Sequence, residues 1–321
     1  MRASRSARSS AACSTSGEAV ASVVEQGGLI VVGTPIGNLG DLSPRAAEAF
    51  RRADAVCCED TRVTGKLLAH IGVEKPLVRC DENVIAARAA GLVERMQAGE
   101  VLAYASDAGM PGISDPGQVL VEVARAAGVA VEVVPGPVAC ATALVASGIP
   151  CDHFFFEGFL PRRAGERERR LRQLVAVPGA LIFYESPHRI AATLETVAAV
   201  FPSREAALCR ELTKLHEEVL RLPAPELFAD VAARDQVKGE IVLVVAPPAA
   251  DELEALAAGA SAAAAAGASD EAMDADAALR GDIADALAAG EPASAIAKRL
   301  SQRYSRRRRE VYALVLESQD A

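Results

Sequence analysis

The sequence predicts an α/β protein: two α/β domains followed by a small C-terminal helical module. Three observations carry that expectation. Short apolar runs alternate with amphipathic stretches over residues 29–148, which implies a largely parallel sheet. A second series of apolar runs follows Gly148-Ile149-Pro150 and ends at Pro247-Pro248. Beyond that point the chain turns alanine-rich and then takes up helical spacing.

Residues 1–28 read as a disordered extension. Arg2, Arg5 and Arg8 stand among Ser and Ala, with no acid before Glu18. An organelle transit segment has the same composition, but the alanine and arginine bias of the rest favours a bacterial extension, and no apolar signal-type core is present. The first domain, 29–148, opens on the run Gly28-Leu29-Ile30-Val31-Val32, which leads into the loop Gly33-Thr34-Pro35-Ile36-Gly37-Asn38-Leu39-Gly40-Asp41. A helix follows from about Ser43, with Pro44 in its first turn. The run Val101–Ala105 leads into Ser106–Gly117, where three glycines, two prolines and two aspartates rule out a regular element. The run Val129–Val134 ends in Pro135-Gly136-Pro137-Val138-Ala139.

Three strand ends thus carry loops of restricted backbone and small side chains, at the place where open α/β sheets bind ligands. Two familiar glycine motifs fail on spacing. A dinucleotide fingerprint needs Gly where Pro35 stands, and a Walker A loop needs a Gly-Lys-Ser/Thr that is missing.

The second domain, 149–248, has strands near Ala180–Tyr184, Ala206–Arg210 and Glu240–Val245. An Ala/Asp-rich linker over 249–275 precedes a basic module over 276–321. There Ile283, Leu287, Ile296, Leu300, Val311 and Leu314 mark two or three amphipathic helices, with helix-turn-helix one arrangement they allow.

The formal net charge of −9 argues at first against a nucleic-acid partner. Its distribution removes the objection: nine acids and one base fall between Asp251 and Ala289, so the remainder is close to neutral. Two arginine clusters stand out, Arg162-Arg163 through Arg172 and Lys298 through Arg309. Guanidinium groups suit phosphate backbones, although Glu166 and Glu168 can also make the first cluster a solvated helix face. Seven cysteines without a C-x-x-C pair imply a reduced, cytoplasmic chain and no structural metal. No run is long and apolar enough to span a membrane.

The first glycine loop, Cys58-Glu59-Asp60-Thr61-Arg62, Asp107 through Gly117, and Tyr184-Glu185-Ser186-Pro187-His188-Arg189 together resemble the RNA-modifying branch of the tetrapyrrole (corrin/porphyrin) methylase superfamily. Arg210–Glu218 and Lys238–Val245 follow the same pattern in order, so the resemblance runs from about Leu29 to Val245. It implies a tetrapyrrole-methylase-like fold with S-adenosylmethionine in the cleft between two domains. It also implies methyl transfer to the 2′-hydroxyl of a cytidine in 16S rRNA of the small ribosomal subunit, by a homodimer.

By motif position the cofactor contacts are Pro35, Asp107, Ala108, Gly109, Gly112, Ile113, Ser114, Val138, Ala139, Glu185 and Leu212. RNA contacts fall to Arg162, Arg163, Arg167, Arg306, Arg307 and Arg308. The proton acceptor is open among Glu59, Asp60, Glu185, His188 and the Glu211/Lys214 pair, with Glu185 and Lys214 ranked first and release to water an alternative. Two other functions stay in view: a tetrapyrrole C-methyltransferase and a non-catalytic ribosome assembly factor.

Overall fold

The computed structural model describes residues 23–256, 258, 278–304 and 306–319. Most of the expected extension over 1–28, residues 259–275 of the expected linker and residues 276–277 of the expected helical module lie outside the described residues. The chain divides into two compact units, Met1–Pro247 and Pro248–Ala321.

The first unit holds two five-stranded sheets. Strands β1 (Gly28–Val32), β2 (Ala55–Cys58), β3 (Leu77–Arg79), β4 (Val101–Ala105) and β5 (Val131–Val134) form one, in the order β3-β2-β4-β1-β5. Every pairing in it is parallel. β1, β2 and β4 are buried at every position, as expected for apolar runs covered on both faces by crossover helices. Those helices are α1 (Pro44–Arg52), α2 (Thr61–His70), α3 (Ile85–Gln97) and α4 (Gly117–Ala126). α1 begins where the sequence places it: the Ser43 hydroxyl accepts from the Ala46 N–H at 3.1 Å, and Pro44 occupies the first turn.

The second sheet comprises β6 (Phe154–Phe159), β7 (Ala180–Glu185), β8 (Glu205–Arg210), β9 (Glu218–Pro223) and β10 (Ile241–Val245), ordered β6-β7-β10-β8-β9. β6 pairs parallel to β7, and the other pairings are antiparallel. Helices α6 (Ala164–Leu174), α7 (Ile190–Val200) and α8 (Ala224–Ala232) cover one face through Leu171, Leu194 and Leu227. The other face receives α5 (Ala139–Ser147), the helix that follows β5, through Cys140 and Ala143. The segment leaving the first sheet therefore packs on the second and joins the two.

In the C-terminal unit, α9 (278–288), α10 (Ala293–Arg303) and α11 (Arg308–Gln319) share a core of Leu279, Ile283, Ile296, Leu300, Val311 and Val315. Leu287 and Leu314 of the expected stripe sit at its margin. The Tyr304 hydroxyl donates to Asp282 at 2.7 Å and Arg303 pairs with the same carboxylate at 2.9 Å, which fastens α10 to α9.

Candidate active site

The three glycine-bearing loops meet. The Gly33 N–H donates to the Val134 carbonyl at 2.9 Å, joining the β1 and β5 ends. The Thr34 N–H donates to the Gly109 carbonyl at 2.9 Å, and the Ser106 hydroxyl donates to the same oxygen at 3.1 Å. The buried Thr34 side chain adds a contact to that carbonyl at 3.2 Å. These bonds hold the Asp107–Gly109 turn against the first loop, at the C-terminal ends of the three adjacent strands β4, β1 and β5.

Beside them lies a cavity of about 550 Å³. Asp107, Ala108, Gly109, Ile113 and Ser114 form one wall, Val138 and Ala139 the start of α5, and Glu185 and Leu212 approach from the second sheet. Nine of the eleven residues assigned to the cofactor by motif therefore share one cavity. Pro35 lines an adjoining depression of about 400 Å³ instead. Gly112 is off the wall and donates its N–H to the Asp115 carboxylate at 2.9 Å, so it shapes the loop from behind. The motifs did not single out Phe159, Tyr184 and the Gly239–Val242 segment as site residues, yet all of them line the cavity. The Lys238-Gly239-Glu240 motif ahead of β10 was the available signal for the last of these.

Among the described residues, three that are not glycine have φ in the left-handed region: Ser114 at 65°, Glu211 at 52° and Thr213 at 66°. Ser114 is in the cavity wall, and the other two flank Leu212, which is too. Backbone strain of this kind persists only where surrounding structure enforces it.

Carboxylates dominate the polar side of the cavity. Asp107 donates its N–H to Glu59 Oε1 at 3.2 Å, and its own carboxylate accepts from the Asp60 N–H at 3.0 Å. Burial pushes both carboxyls above the usual range, with the Asp107 charge adding to the effect at Glu59 and the Asp60 charge adding at Asp107. Burial also raises the thiol of Cys209 in the cavity wall, up to about 12, and that of the buried Cys140.

The candidates for proton acceptor differ in their partners. Glu185 is buried: its Oε1 accepts from the Ser186 N–H at 2.8 Å, its Oε2 from the Thr193 hydroxyl at 2.6 Å, and Arg189 pairs with it at 3.3 Å. These bonds anchor the start of α7. Lys214 sits between Glu211 at 2.9 Å and Glu240 at 3.2 Å. Burial opposes its charge, but the hydrogen bonds and charges of the two carboxylates outweigh that cost and raise its pKa, which favours the ammonium form. Asp60 is tied to the Arg62 side chain and backbone, which hold its carboxyl well below the usual range. His188 is exposed and lines neither cavity.

Among the expected RNA contacts, Arg162 and Arg163 are exposed ahead of α6. Arg167 is not: it is 5% exposed, with Nε donating to the Thr196 hydroxyl and Nη2 to the Ala192 carbonyl, both at 3.0 Å. It pins α6 to α7 and has no face to offer a phosphate. Arg306, Arg307 and Arg308 are exposed where α11 begins. Among the described residues no group of three or more His, Cys, Asp or Glu is placed to hold a metal ion, and no helix is long and apolar enough to cross a membrane.

Comparison with known proteins adds four results. The model of the tetrapyrrole (corrin/porphyrin) methylases matches residues 28–228. Ribosomal RNA small subunit methyltransferase I of Xylella fastidiosa strain Temecula1 is 50% identical over 224 residues, 68% of this chain and 81% of the relative. The protein of the same name from Mesorhizobium japonicum is 40% identical over 293 residues, 91% of this chain and 92% of the relative. Among solved structures, uroporphyrin-III C-methyltransferase of Thermus thermophilus, complexed with S-adenosyl homocysteine, superposes with a TM-score of 0.50 at 19% identity, covering 68% of this chain and 97% of that one.

Proposed function

This chain belongs to the tetrapyrrole (corrin/porphyrin) methylase family, and on that premise we propose that it transfers a methyl group from S-adenosylmethionine to the 2′-hydroxyl of a cytidine in 16S rRNA. The observation that carries the proposal is the joint one of sequence and site. Relatives named for methylation of small-subunit rRNA match 68–91% of the chain, and the matched motifs are those that build the cavity.

The cavity fits the cofactor on its own terms. Its volume lies within the range of roughly 300–1,000 Å³ that small-molecule sites occupy. Ile36, Val138 and Leu212 give it apolar walls, while Asp107 and Glu59 offer acceptors for hydroxyl groups and for positive charge. When bound, the cofactor supplies a methyl group already activated by its sulfonium.

The protein's part is then orientation and proton management. The loop bonds around Gly109 fix the wall against which the nucleophile must be aligned, and such alignment can lower a barrier by several kcal/mol. Asp107 and Glu59 are the carboxylates whose raised pKa suits acceptance of the hydroxyl proton. Lys214, held as an ammonium, orients substrate oxygen.

Arg162, Arg163 and Arg306–Arg308 supply charge for the phosphate backbone. The enzyme acts as a homodimer in the cytoplasm. Six described cysteines, all free, are compatible with a reducing compartment.

The test is transfer of labelled methyl to purified small ribosomal subunits from cells lacking this gene, followed by nucleoside analysis. Label in 2′-O-methylcytidine is expected. Cofactor binding with no transfer to subunits or to naked rRNA redirects the assignment to tetrapyrroles, and absence of cofactor binding leaves only the assembly-factor reading.

A further inference from the structure

The depression of about 400 Å³ beside the cofactor cavity is a second compartment of the same site. The two share Ile36, Ser106, Asp107, Ala108 and Glu240 as a common wall. Its remaining lining differs in character. Lys66 on α2 and Lys214 bring two ammonium groups, and Leu39 and Val63 bring aliphatic side chains that are 46% and 40% exposed.

Its far side is built at a cost in backbone strain. Glu211 and Thr213, both with positive φ, form the turn that carries Lys214. The Thr213 hydroxyl accepts from the Asn38 N–H at 3.1 Å, which ties this turn across to the first glycine loop. Gly37 lets the Lys214 stem lie directly on its backbone, since a Cβ there would come within 2.5 Å of Lys214 Cγ. Two of the three ammonium N–H groups of Lys214 are taken by Glu211 and Glu240, leaving one to give. The Lys66 ammonium has no hydrogen bond or ion pair among the described residues.

We propose that this depression seats the target nucleotide of the RNA, with a backbone phosphate on Lys66, an oxygen of the nucleotide on the remaining Lys214 donor, and the base against Leu39 and Val63. The ribose then lies at the Asp107–Ala108 part of the wall that the two compartments share. The inference rests on the rRNA methyltransferase reading above and adds to it the route by which RNA enters. An approach from the opposite, Phe159 side of the cofactor cavity is the competing geometry.

The experiment compares the full-length protein with Lys66→Ala, Lys66→Arg and Val63→Glu. It measures S-adenosyl homocysteine binding by calorimetry, and KM and salt dependence with small subunits that lack the methylation. Lys66→Ala is expected to raise KM several-fold with cofactor affinity and kcat retained. Loss of one single-strand phosphate contact is expected to make the slope of log affinity against log salt shallower by about 0.7. Lys66→Arg restores both values. Val63→Glu, placing an anion in the depression, cuts transfer more than tenfold while leaving cofactor binding intact. Wild-type KM and salt slope in both Lys66→Ala and Val63→Glu overturn the inference. If the wild-type protein methylates no small subunit, the rRNA reading itself falls, and the inference with it.

Discussion

Gly33 and Gly136 meet backbone to backbone: a Cβ built on Gly136 would lie 2.7 Å from both the Cα and the carbonyl carbon of Gly33. This contact draws the β5 loop onto the β1 loop and so sets one corner of the candidate site. Gly136→Ala is therefore expected to force the loops apart, at about 1–3 kcal/mol as for other overpacked positions. It should lower the urea midpoint and weaken S-adenosyl homocysteine binding together. Gly165→Ala is the control, since a Cβ there meets nothing within 4 Å on helix α6. It should leave stability unchanged or raise it by up to about 1 kcal/mol.

Glu185 gives a sharper test, because its buried contacts anchor α7 while the sequence ranks it, with Lys214, first among the proton acceptors. Glu185→Gln keeps one oxygen to accept from the Ser186 N–H and turns an amide N–H toward Thr193, whose hydroxyl can accept it, so methyl transfer should stay within about tenfold of wild type. A general base removed outright would cost roughly 10²–10⁴-fold. Glu185→Ala also strands Arg189 in a partly buried site, and breaking such a pair from one side costs about 3–5 kcal/mol. Its signature is a large fall in Tm. A Glu185→Gln loss beyond 10²-fold with unchanged Tm would return the residue to a chemical role.

How far the sequence carried is clearest at these residues. The three loops were legible because glycine and proline restrict the backbone wherever they stand. The central strands β1, β4 and β10 were legible because burial on both faces makes each a continuous apolar run. β3, β6 and β9 were not singled out as strands, and all three are sheet edges, where half-exposed positions admit Arg79, Glu157 and Glu218 and break that run.

Side-chain partners were the larger gap. Residue type marks Glu185, Lys214 and Arg167 as reactive or phosphate-seeking, but Thr193, Glu240 and Thr196 decide what each of them does. The closeness of Glu59 and Asp107 follows from the parallel pairing of Cys58 with Ala105, a register that local sequence does not encode.

That pairing has a consequence for stability against pH. Burial, reinforced by Asp107, raises the Glu59 carboxyl above its ordinary value of 4.5. The folded protein therefore holds this proton to higher pH than the unfolded chain does. Its stabilising share is complete below the unfolded value and is lost as pH rises through the folded one. Above the unfolded value, Glu59 therefore works against folding. Glu59→Gln, which keeps an acceptor for the Asp107 N–H, should raise Tm by a few degrees at pH 7.5, and the gain should shrink to nothing near pH 4.5. A gain that grew towards low pH would contradict the assignment. If Glu59 also takes part in proton acceptance, the same variant loses turnover while it gains stability.

The arginines around α6 separate by burial into two classes with opposite readouts. Arg167, 5% exposed and bonded to Thr196 and Ala192, should cost about 2–3 kcal/mol when replaced by Ala, through loss of charged hydrogen bonds between α6 and α7. The remaining folded enzyme should bind 16S rRNA with an unchanged salt slope. Arg162 and Arg163 are exposed, and their alanine variants should shift stability by less than about 0.5 kcal/mol. Each should instead make the slope of log affinity against log salt shallower by about 0.7–0.9. Urea unfolding and filter binding across a salt series, run on the same three variants, read the two effects independently. Arg163 already pairs with Glu166 at 3.2 Å, so its change should be the smaller of the two. An Arg167→Ala protein that kept wild-type stability but lost the salt-dependent share of RNA affinity would put that guanidinium back on the RNA face.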